Sequence, residues 1–592
     1  MRQLKINNLV ADLGSAVIEL TKQSYLFTDF DSRYIPISNS IELPQSQQNT
    51  FIFENPGLLA STNRSFQKVY TAEYSDTTLI FKGVAILIES NGSYVIQLID
   101  ASFEFWDYLT KSIRTLAKDS DDFVFNIDSY NTLKFETDSI FIWAATNMHL
   151  SRISAKSIFN ANVNQKLKYS RPLIQVGKIR SRTFEATGWT FEPISIYDNT
   201  TKYAISTNHE TFFVTSYQKK LNSTYSFTDS AILTGLNTNN FIYHTTAATD
   251  FLTVGATKRQ FRLRGDVISD VDCTLTVIGT SNPTSTDIIK ESFVLSAGTN
   301  NVNLFTGNFS TSETNLTIEF LFEANGNANV TFDAWLYDIV SENDFTDLNL
   351  SPLENYKVIA YDNTPDMPIL TVAKNSFVKN AEYFYTDVFT KKILFFSLAS
   401  FSKMSALDWS SKFIEGSDIH LGTVGEYAKN NYLVYDNDET IAQTLGRGYF
   451  TIDNDFLEQL KELYKSDYSA SLTIEIDSFD VADFQIYNNT IRQNKLNKRI
   501  VKYELDGTIG SFANFKDMSF ANVLQNNYSV LIAALNRTRV VNCQLDLNNS
   551  DFYSFDFSVP VYIDKLKSTF FVLSLSNFTG PGLVDAQLLK LA

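Results

Sequence analysis

The stretch TLIFKGVAILIESNGSYVIQL, residues 78–98, decides how the first part of the chain folds. Thr78–Ile88 and Tyr94–Leu98 are dominated by large apolar and β-branched residues, which suit a pleated, half-buried surface. Between them stands Glu89-Ser90-Asn91-Gly92, and Asn-Gly readily supplies the positive φ angles of a tight turn. An antiparallel hairpin is therefore expected. Upstream, Ser65–Tyr74 reads as a further strand, set off by Ser75-Asp76. Residues 18–43 read as a strand and a loop ending in the segment 37–44, followed by the short stretch Thr50–Phe53. The first residues, MRQLKINNLVADLGSAVIEL, hold one short apolar run broken by Asp12 and Gly14, without a signal peptide's compact apolar centre and cleavage site.

Downstream, Phe103, Trp106, Leu109 and Ile113 are spaced as one helical face over Ser102–Lys118. Residues 120–172 are mixed, with Phe123, Phe125 and Ile127 alternating. Leu173–Thr187 predicts a helix just after Pro172, stopped by Gly188 in a left-handed cap, and Trp189, Phe191 and Pro193 then resume extended chain. From about residue 225 charge thins and Thr, Asn and Ser fill the gaps between short runs. These runs are Phe261–Ile268, Cys273–Ile278, Glu291–Leu295, Val302–Phe305, Leu316–Phe322 and Val330–Tyr337. Many short strands with polar turns indicate a β-sandwich or jelly roll. Residues 350–470 are mixed again, with a turn or extended segment at Pro365–Pro368 and a strand at Lys391–Leu398. A helix is expected over Asp453–Tyr464, from Phe456, Leu457, Leu460 and Leu463. The final part is strand-dense: Ser471–Ile476, Val501–Leu505, Tyr528–Leu535, Arg539–Leu545, Val559–Ile563 and Ser568–Leu575. No short-period repeat is visible, which argues against a solenoid or propeller. The expected class is mainly β with α+β portions, divided as 1–120, 121–224, the sandwich at 225–345, 346–470 and 471–592.

At 592 residues the chain exceeds what one hydrophobic core supports. It carries 48 Phe and 29 Tyr, residue types that fill pleated surfaces and protein interfaces. The net charge of -17 is spread along the chain, and the two basic stretches, Lys258–Arg264 and Lys495–Lys502, are short and interrupted by apolar residues. A duplex-binding footprint needs a focused positive surface, so nucleic-acid recognition is not expected. Two cysteines, Cys273 and Cys543, are too few for a disulfide framework or a Cys-rich metal site and suit a reducing compartment. No run of 18 apolar residues occurs. A soluble protein made in the cytoplasm is the expectation.

Catalytic patterns are absent. His149, His209, His244 and His420 are widely separated, and no HExxH pair, G-x-S-x-G frame, Walker A loop or G-x-G-x-x-G occurs. His209-Glu210 stands in a Thr-rich stretch with no glycine elbow, and Gly446-Arg447-Gly448 reads as a turn. Asp333, Glu475 and Asp477 are carboxylates a glycosidase pair could draw on, but Glu475 and Asp477 are spaced as a solvated strand face. Asp436-Asn437-Asp438 and Asp366 lack the other ligands of an EF-hand. No catalytic residue, cofactor or metal is therefore assigned. One binding alternative stands: Tyr243, Trp335 and Tyr337 as a sugar-binding platform on the sandwich. Trp335 and Tyr337 share a strand face with Asp333. The same spacing describes a core face, and that is the expected reading.

The order of features carries a resemblance. Ile41-Glu42-Leu43-Pro44, Asn49–Phe53, Thr78–Ala85, the Asn91-Gly92 turn, Tyr94–Asp100 and the helix with Phe105-Trp106-Asp107-Tyr108-Leu109 follow one another. This looks like the opening of tail-hub or baseplate-hub proteins of tailed bacteriophages and related prophage particles, especially those of Bacteroidetes-type hosts. Pro172–Ile174 through Gly188-Trp189-Thr190-Phe191 resembles the hub helix that ends in an aromatic-flanked glycine. Ala406–Lys412 and Tyr427–Tyr432 resemble the segment that follows an insertion in that group. The resemblance covers 1–220 and 350–592 and makes the sandwich an insertion between two hub portions. It implies hub-like β-barrel domains and a homo-oligomeric ring, a trimer, at the distal end of the tail tube. Such a ring would join the tube to spike and other baseplate proteins in the virion, with DNA passing the lumen without specific binding. A carbohydrate-binding adsorption or tail-fibre component is the alternative.

Overall fold

The computed structural model describes residues 2–23, 38–56, 64–76, 78–124, 126–133, 138–143, 146–147, 172–193, 201–206, 212–215, 218–233, 241–242, 257–281, 286–305, 315–342, 357–397, 401, 403–415, 419–422, 427–435, 447–470, 472–476, 479–483, 485–488, 491–496, 499–504, 514–515, 519–536 and 540–590. Its architecture is mixed α+β and dominated by strands.

The hairpin forms as the sequence dictates. Thr78–Ser90 and Ser93–Asp100 pair antiparallel, with Ser90 opposite Tyr94. Gly92 sits at φ 75°, the left-handed conformation that glycine adopts without a Cβ clash. Gly83 has a different reason: a Cβ there would lie 2.1 Å from the Ile99 carbonyl oxygen, so only glycine lets the returning strand approach. The hairpin is the middle of a six-stranded sheet in the order Leu9–Val10, Arg2–Ile6, Val69–Asp76, Thr78–Ser90, Ser93–Asp100, Ile41–Pro44.

A second sheet is built mainly from the other end of the chain. Val540–Leu547, Val561–Ile563, Ser568–Phe578 and Gly582–Lys590 join Leu407–Asp408 and His420–Gly422. Leu20–Gln23 crosses over to pair with Ser568–Phe578. The two sheets enclose one core in a barrel-like arrangement, to which Leu4, Tyr70 and Leu98 contribute from one side and Leu545, Phe570 and Leu588 from the other. Segments more than 400 residues apart thus bury their apolar faces together.

Beside this body lies an α+β module. Helix Val176–Thr187 ends at Gly188, φ 68°, whose N–H bonds the Phe184 carbonyl. Thr190–Pro193 then pairs parallel to Lys392–Ser397, which pairs antiparallel to Glu382–Asp387. Helix Ile369–Asn380 covers them. The module's centre is aromatic: Phe105 stacks on Phe184 at 5.5 Å, and Phe191 meets Phe395 at 5.0 Å.

The sandwich is inserted between the two halves of this module. Its spine is one strand, Asn315–Glu342, which serves two neighbours in succession. Leu316–Ala324 pairs with Cys273–Ser281, and Val330–Glu342 pairs with Thr257–Ser269. Gly326, at φ 116°, lies between the two paired stretches. Phe320, Phe322, Phe332, Leu263, Val267 and Leu275 form the separate core. The sheet runs on into the body through Phe212–Thr215, Lys357–Val358 and Phe123–Val124.

Several local expectations are corrected. Asp453–Tyr464 is not a helix: residues 452–459 are irregular with a turn at 455–456, and Leu460–Lys465 is a strand parallel to Asn430–Val434. Only Leu457, Leu463 and Tyr464 of that segment pack against the core, so tertiary pairing overrode the helical spacing. Tyr528–Leu535 is not a strand. Ser529–Asn536 is a helix following Phe520–Asn527, because a short apolar run fits a buried helix as well as a strand. The helix expected from Leu173 begins as the strand Pro172–Gln175, and the Ser102 helix is cut to Phe103–Tyr108 with a 3-10 turn at Ile113–Leu116. Ile127 opens the helix Ile127–Leu133 instead of continuing a strand, and Thr50–Phe53 lies in the helix Gln47–Phe53 capped by Ser46. Arg447–Thr451 is a strand where a turn was expected; a Cβ on Gly448 would lie 2.7 Å from Phe520.

Candidate interaction surfaces

Trp335 and Asp333 lie on the sandwich spine, Trp335 opposite Lys220 on one side and Arg264 on the other. Phe332, Ala334 and Leu336 are buried, whereas Asp333 is exposed and Trp335 half-buried. The sandwich core therefore lies on the opposite face of the strand, and Trp335 shares its face with Arg264, its partner in register. Tyr337 pairs with Gln218 and Arg262 in register; its side chain, and Tyr243 altogether, lie outside the described residues. So do His149, His209, Glu210, His244, Asp436–Asp438 and Asp477. Glu475 stands opposite Asp480 in a two-strand register. The structure thus brings Asp333 and Trp335 together, and among the described residues Asp333 and Glu475 lie in different sheets.

His420, the described histidine, lies on a polar surface that the sequence did not single out. Across the C-terminal sheet, His420 aligns with Asn542, Asn542 with Gln587, and Gln587 with Ser574. Beside this row run Gln544, Asp585 and Ser576. Together they line an open groove of about 490 Å³. Gln544 and Asn577 donate to the two oxygens of Asp585, at 3.1 and 2.7 Å, and fix its carboxylate. The groove can make hydrogen bonds to a polar partner. It offers no ready nucleophile, because Cys543 is buried and burial pushes its thiol up to about 11. The alternating polar residues of the last strands were the available signal.

A second cluster fastens the sandwich to the body. Arg262 is fully buried and ion-paired with buried Asp362, and its Nε donates to Asn303 Oδ1 at 2.5 Å. Tyr361 lies beneath three guanidinium groups: Arg264 at 4.2 Å, Arg262 at 5.0 Å and Arg114 at 5.9 Å from the ring centroid. Arg264 also reaches Asp119, and Arg114 reaches Asp366. Cation–π attraction and charge pairing act on the same residues here. Arg262 and Arg264 of the Lys258–Arg264 stretch thus serve an internal contact.

Buried charge also marks the α+β module. Burial pushes Glu382 up to about 8, against the opposing pull of Arg180, and depresses Arg180 in turn. Lys379 is fully buried beside the Tyr435 ring, and burial lowers its amine well below the usual range. At the junction of both sheets and the module, Lys22 donates to the Tyr553 carbonyl at 2.7 Å; burial lowers it to about 8, partly offset by Asp100, Asp387 and Asp556. Among the described residues no group of three or more His, Cys, Asp and Glu side chains is placed to hold a metal ion. No described helix is long and apolar enough to cross a membrane.

The exposed aromatics complete the picture. Phe456 is 100% exposed, and Tyr449 and Leu460 are more than half exposed on the neighbouring strands. Tyr449 packs beside Tyr432 at 5.3 Å. Phe51 and Phe66 are exposed at one end of the N-terminal sheet.

No known protein family matches the chain, and no curated protein does. Among solved structures, an infectious bursal disease virus particle of the Gt strain is similar over 60% of this chain and 58% of that chain, at 10% identity and a TM-score of 0.14. One of the Gx strain is similar over 60% and 72%, at 8% identity and a TM-score of 0.11. The chain spans less than two thirds of the first of these. Superposition at that level carries no argument about fold or role.

Proposed function

We propose that this chain is a non-catalytic structural subunit of a phage-tail particle, acting as a hub that joins the tail tube to a spike or receptor-binding apparatus. The observation that supports the reading is the interlocking of its distant halves. Residues 105–205 and 358–589 contribute to one core, residues 4–98 and 409–588 to another, and the sandwich stands between them in the chain with its own. That is the layout the hub resemblance requires: two hub portions closing on each other around an added domain. A body closed by distant chain segments, with a further domain joined to it through a shared sheet, suits a part that transmits force and carries an attachment. The excess of acidic residues suits a lumen through which DNA slides without being gripped. Imaging the purified protein at high concentration, or the assembled particle, by cryo-electron microscopy tests the reading. A three-fold ring with a central channel at the tube's end is expected; a monomer at every concentration, absent from the tail tip, overturns it.

A second reading, a carbohydrate-binding adsorption component, draws support from exposed Asp333 beside half-buried Trp335 and from the groove at His420, Asn542 and Gln587. Titration with host-surface glycans separates the two: saturable binding lost in Trp335→Ala or Gln587→Ala favours it.

A further inference from the structure

We infer that the C-terminal end of helix Ile369–Asn380 is a proton-operated catch. While the Lys379 amine is neutral, the helix pair Phe520–Asn527 and Ser529–Asn536 stays docked on it, and uptake of a proton there releases the pair. The catch is built into the monomer and does not depend on the assembly reading above.

Lys379 is 0% exposed, and its Nζ meets no hydrogen-bond acceptor among the described residues. The amine lies over the Tyr435 ring, 4.8 Å from its centroid, and that ring stacks on Phe520 of the docked pair at 4.2 Å. Asn375, one turn earlier on the helix, has no acceptor capacity left: its Oδ1 already receives the Tyr464 and Ser466 hydroxyls, each at 2.5 Å. The docked helices carry no Asp, Glu, Lys, Arg or His, and neither does the strand Asn430–Val434. Burial pushes the Tyr464 and Tyr468 hydroxyls up, so they stay neutral. Glu382 stands beyond the turn at Ala381 and faces Arg180 of helix Val176–Thr187 at 3.8 Å. The other charges of that helix, Lys178, Arg182 and Glu185, pair with Asp138, Asp121 and Lys118. Asp387 accepts from Phe389 and Thr390, and Asp467 is exposed. Lys374, the other charged residue of the catch helix, is itself a base. An ammonium at Lys379 would thus exchange its hydration for one ring face, which does not offset the loss.

Two side-chain bonds tie the pair to the catch. Asn527 Nδ2 donates to the Lys379 carbonyl at 2.6 Å, and the Tyr528 hydroxyl donates to the Val378 carbonyl at 2.7 Å. The turn they rest on is strained, because buried Ala381 holds φ 47° in a left-handed cap that favours glycine. Undocking breaks both bonds and returns the amine to water. Docked, burial holds the amine well below its ordinary 10.5; released, it regains that value. Between the two values undocking takes up one proton from solvent. The opening constant therefore grows about tenfold for each unit that pH falls from 10.5, and levels off below the docked value.

Hydrogen exchange of residues 520–536 in the full chain, read by mass spectrometry from about pH 9 down to about pH 6 and corrected for the intrinsic rate, tests the catch. In wild type the opening constant should rise about tenfold per pH unit on acidification from pH 9. Lys379→Met keeps the apolar stem and removes the amine, so it should be better protected at pH 7 and lose that slope. Glu382→Gln should keep the slope, since its carboxyl titrates in the opposite sense. A flat wild-type profile overturns the inference, as does a slope that survives in Lys379→Met or vanishes in Glu382→Gln.

Discussion

Replacing Asp362 with alanine tests how the sandwich is held to the body. Arg262 and Asp362 are each 1% exposed, so the guanidinium left behind cannot rehydrate without opening the junction. Asn303 Oδ1 at 2.5 Å and the Tyr361 ring at 5.0 Å remain, but neither carries a charge to balance it. Breaking a buried pair from one side costs about 3–5 kcal/mol. For a cooperative unit of the sandwich's size, about 120 residues, that is a fall of roughly 9–25 °C in Tm, at about 3–5 °C per kcal/mol. Differential scanning calorimetry should show the sandwich transition moving down and separating from that of the body. The companion double change, Arg262→Met with Asp362→Leu, removes both charges and fills similar volume, so it should lie within about 1 kcal/mol of wild type, as apolar replacement of a buried pair often does. If Asp362→Ala alone costs under about 1 kcal/mol, or the double change is as damaging as the single one, the pair does not hold the junction.

Three further outcomes follow from the same reasoning. Glu382 has its carboxyl raised to about 8 from 4.5, so the folded protein binds the proton more tightly than the unfolded chain, and stability is lost as pH rises from about 4.5 to 8. In urea titrations Glu382→Gln should match wild type near pH 4.5 and exceed it at pH 8; a constant difference across that range would contradict the burial effect. Gly265→Ala should destabilise the sandwich by about 3 kcal/mol or more, combining strain at φ 136° with a Cβ placed 2.5 Å from the Asp333 carbonyl oxygen, and a loss under 1 kcal/mol in denaturant would refute it. Arg182→Met, which strands buried Asp121 beside Ile140 N–H, should cost about 3–5 kcal/mol by the same assay, and a near-neutral result would show that the pair contributes little.

What the residues determined by themselves was local. Asn91-Gly92 set the turn and hence the hairpin, and Gly188 stopped its helix where the apolar spacing ended, because both depend on φ angles that few other residues adopt. Strands such as Cys273–Ser281 and Gly298–Phe305 were legible for a related reason: short apolar runs divided by polar turns fit elements of that length. The tertiary structure decided everything that depends on what lies across a gap. Ser529–Asn536 is helical because its apolar run docks beside Phe520–Asn527, and the run alone fits either state. Phe456 and Leu457 are neighbours with the same hydrophobic character, yet one is in water and the other packs against the core, on the turn before the strand Leu460–Lys465. Strand alternation told that Asp333 and Trp335 share a face, but which face met the core was settled by Phe332, Ala334 and Leu336 packing inward. Nor could any window of sequence reveal that Leu20–Gln23 pairs with Ser568–Phe578. Hydrophobic burial has no direction of its own, so the sequence marks which surfaces must leave water and only the folded chain selects the surfaces they meet.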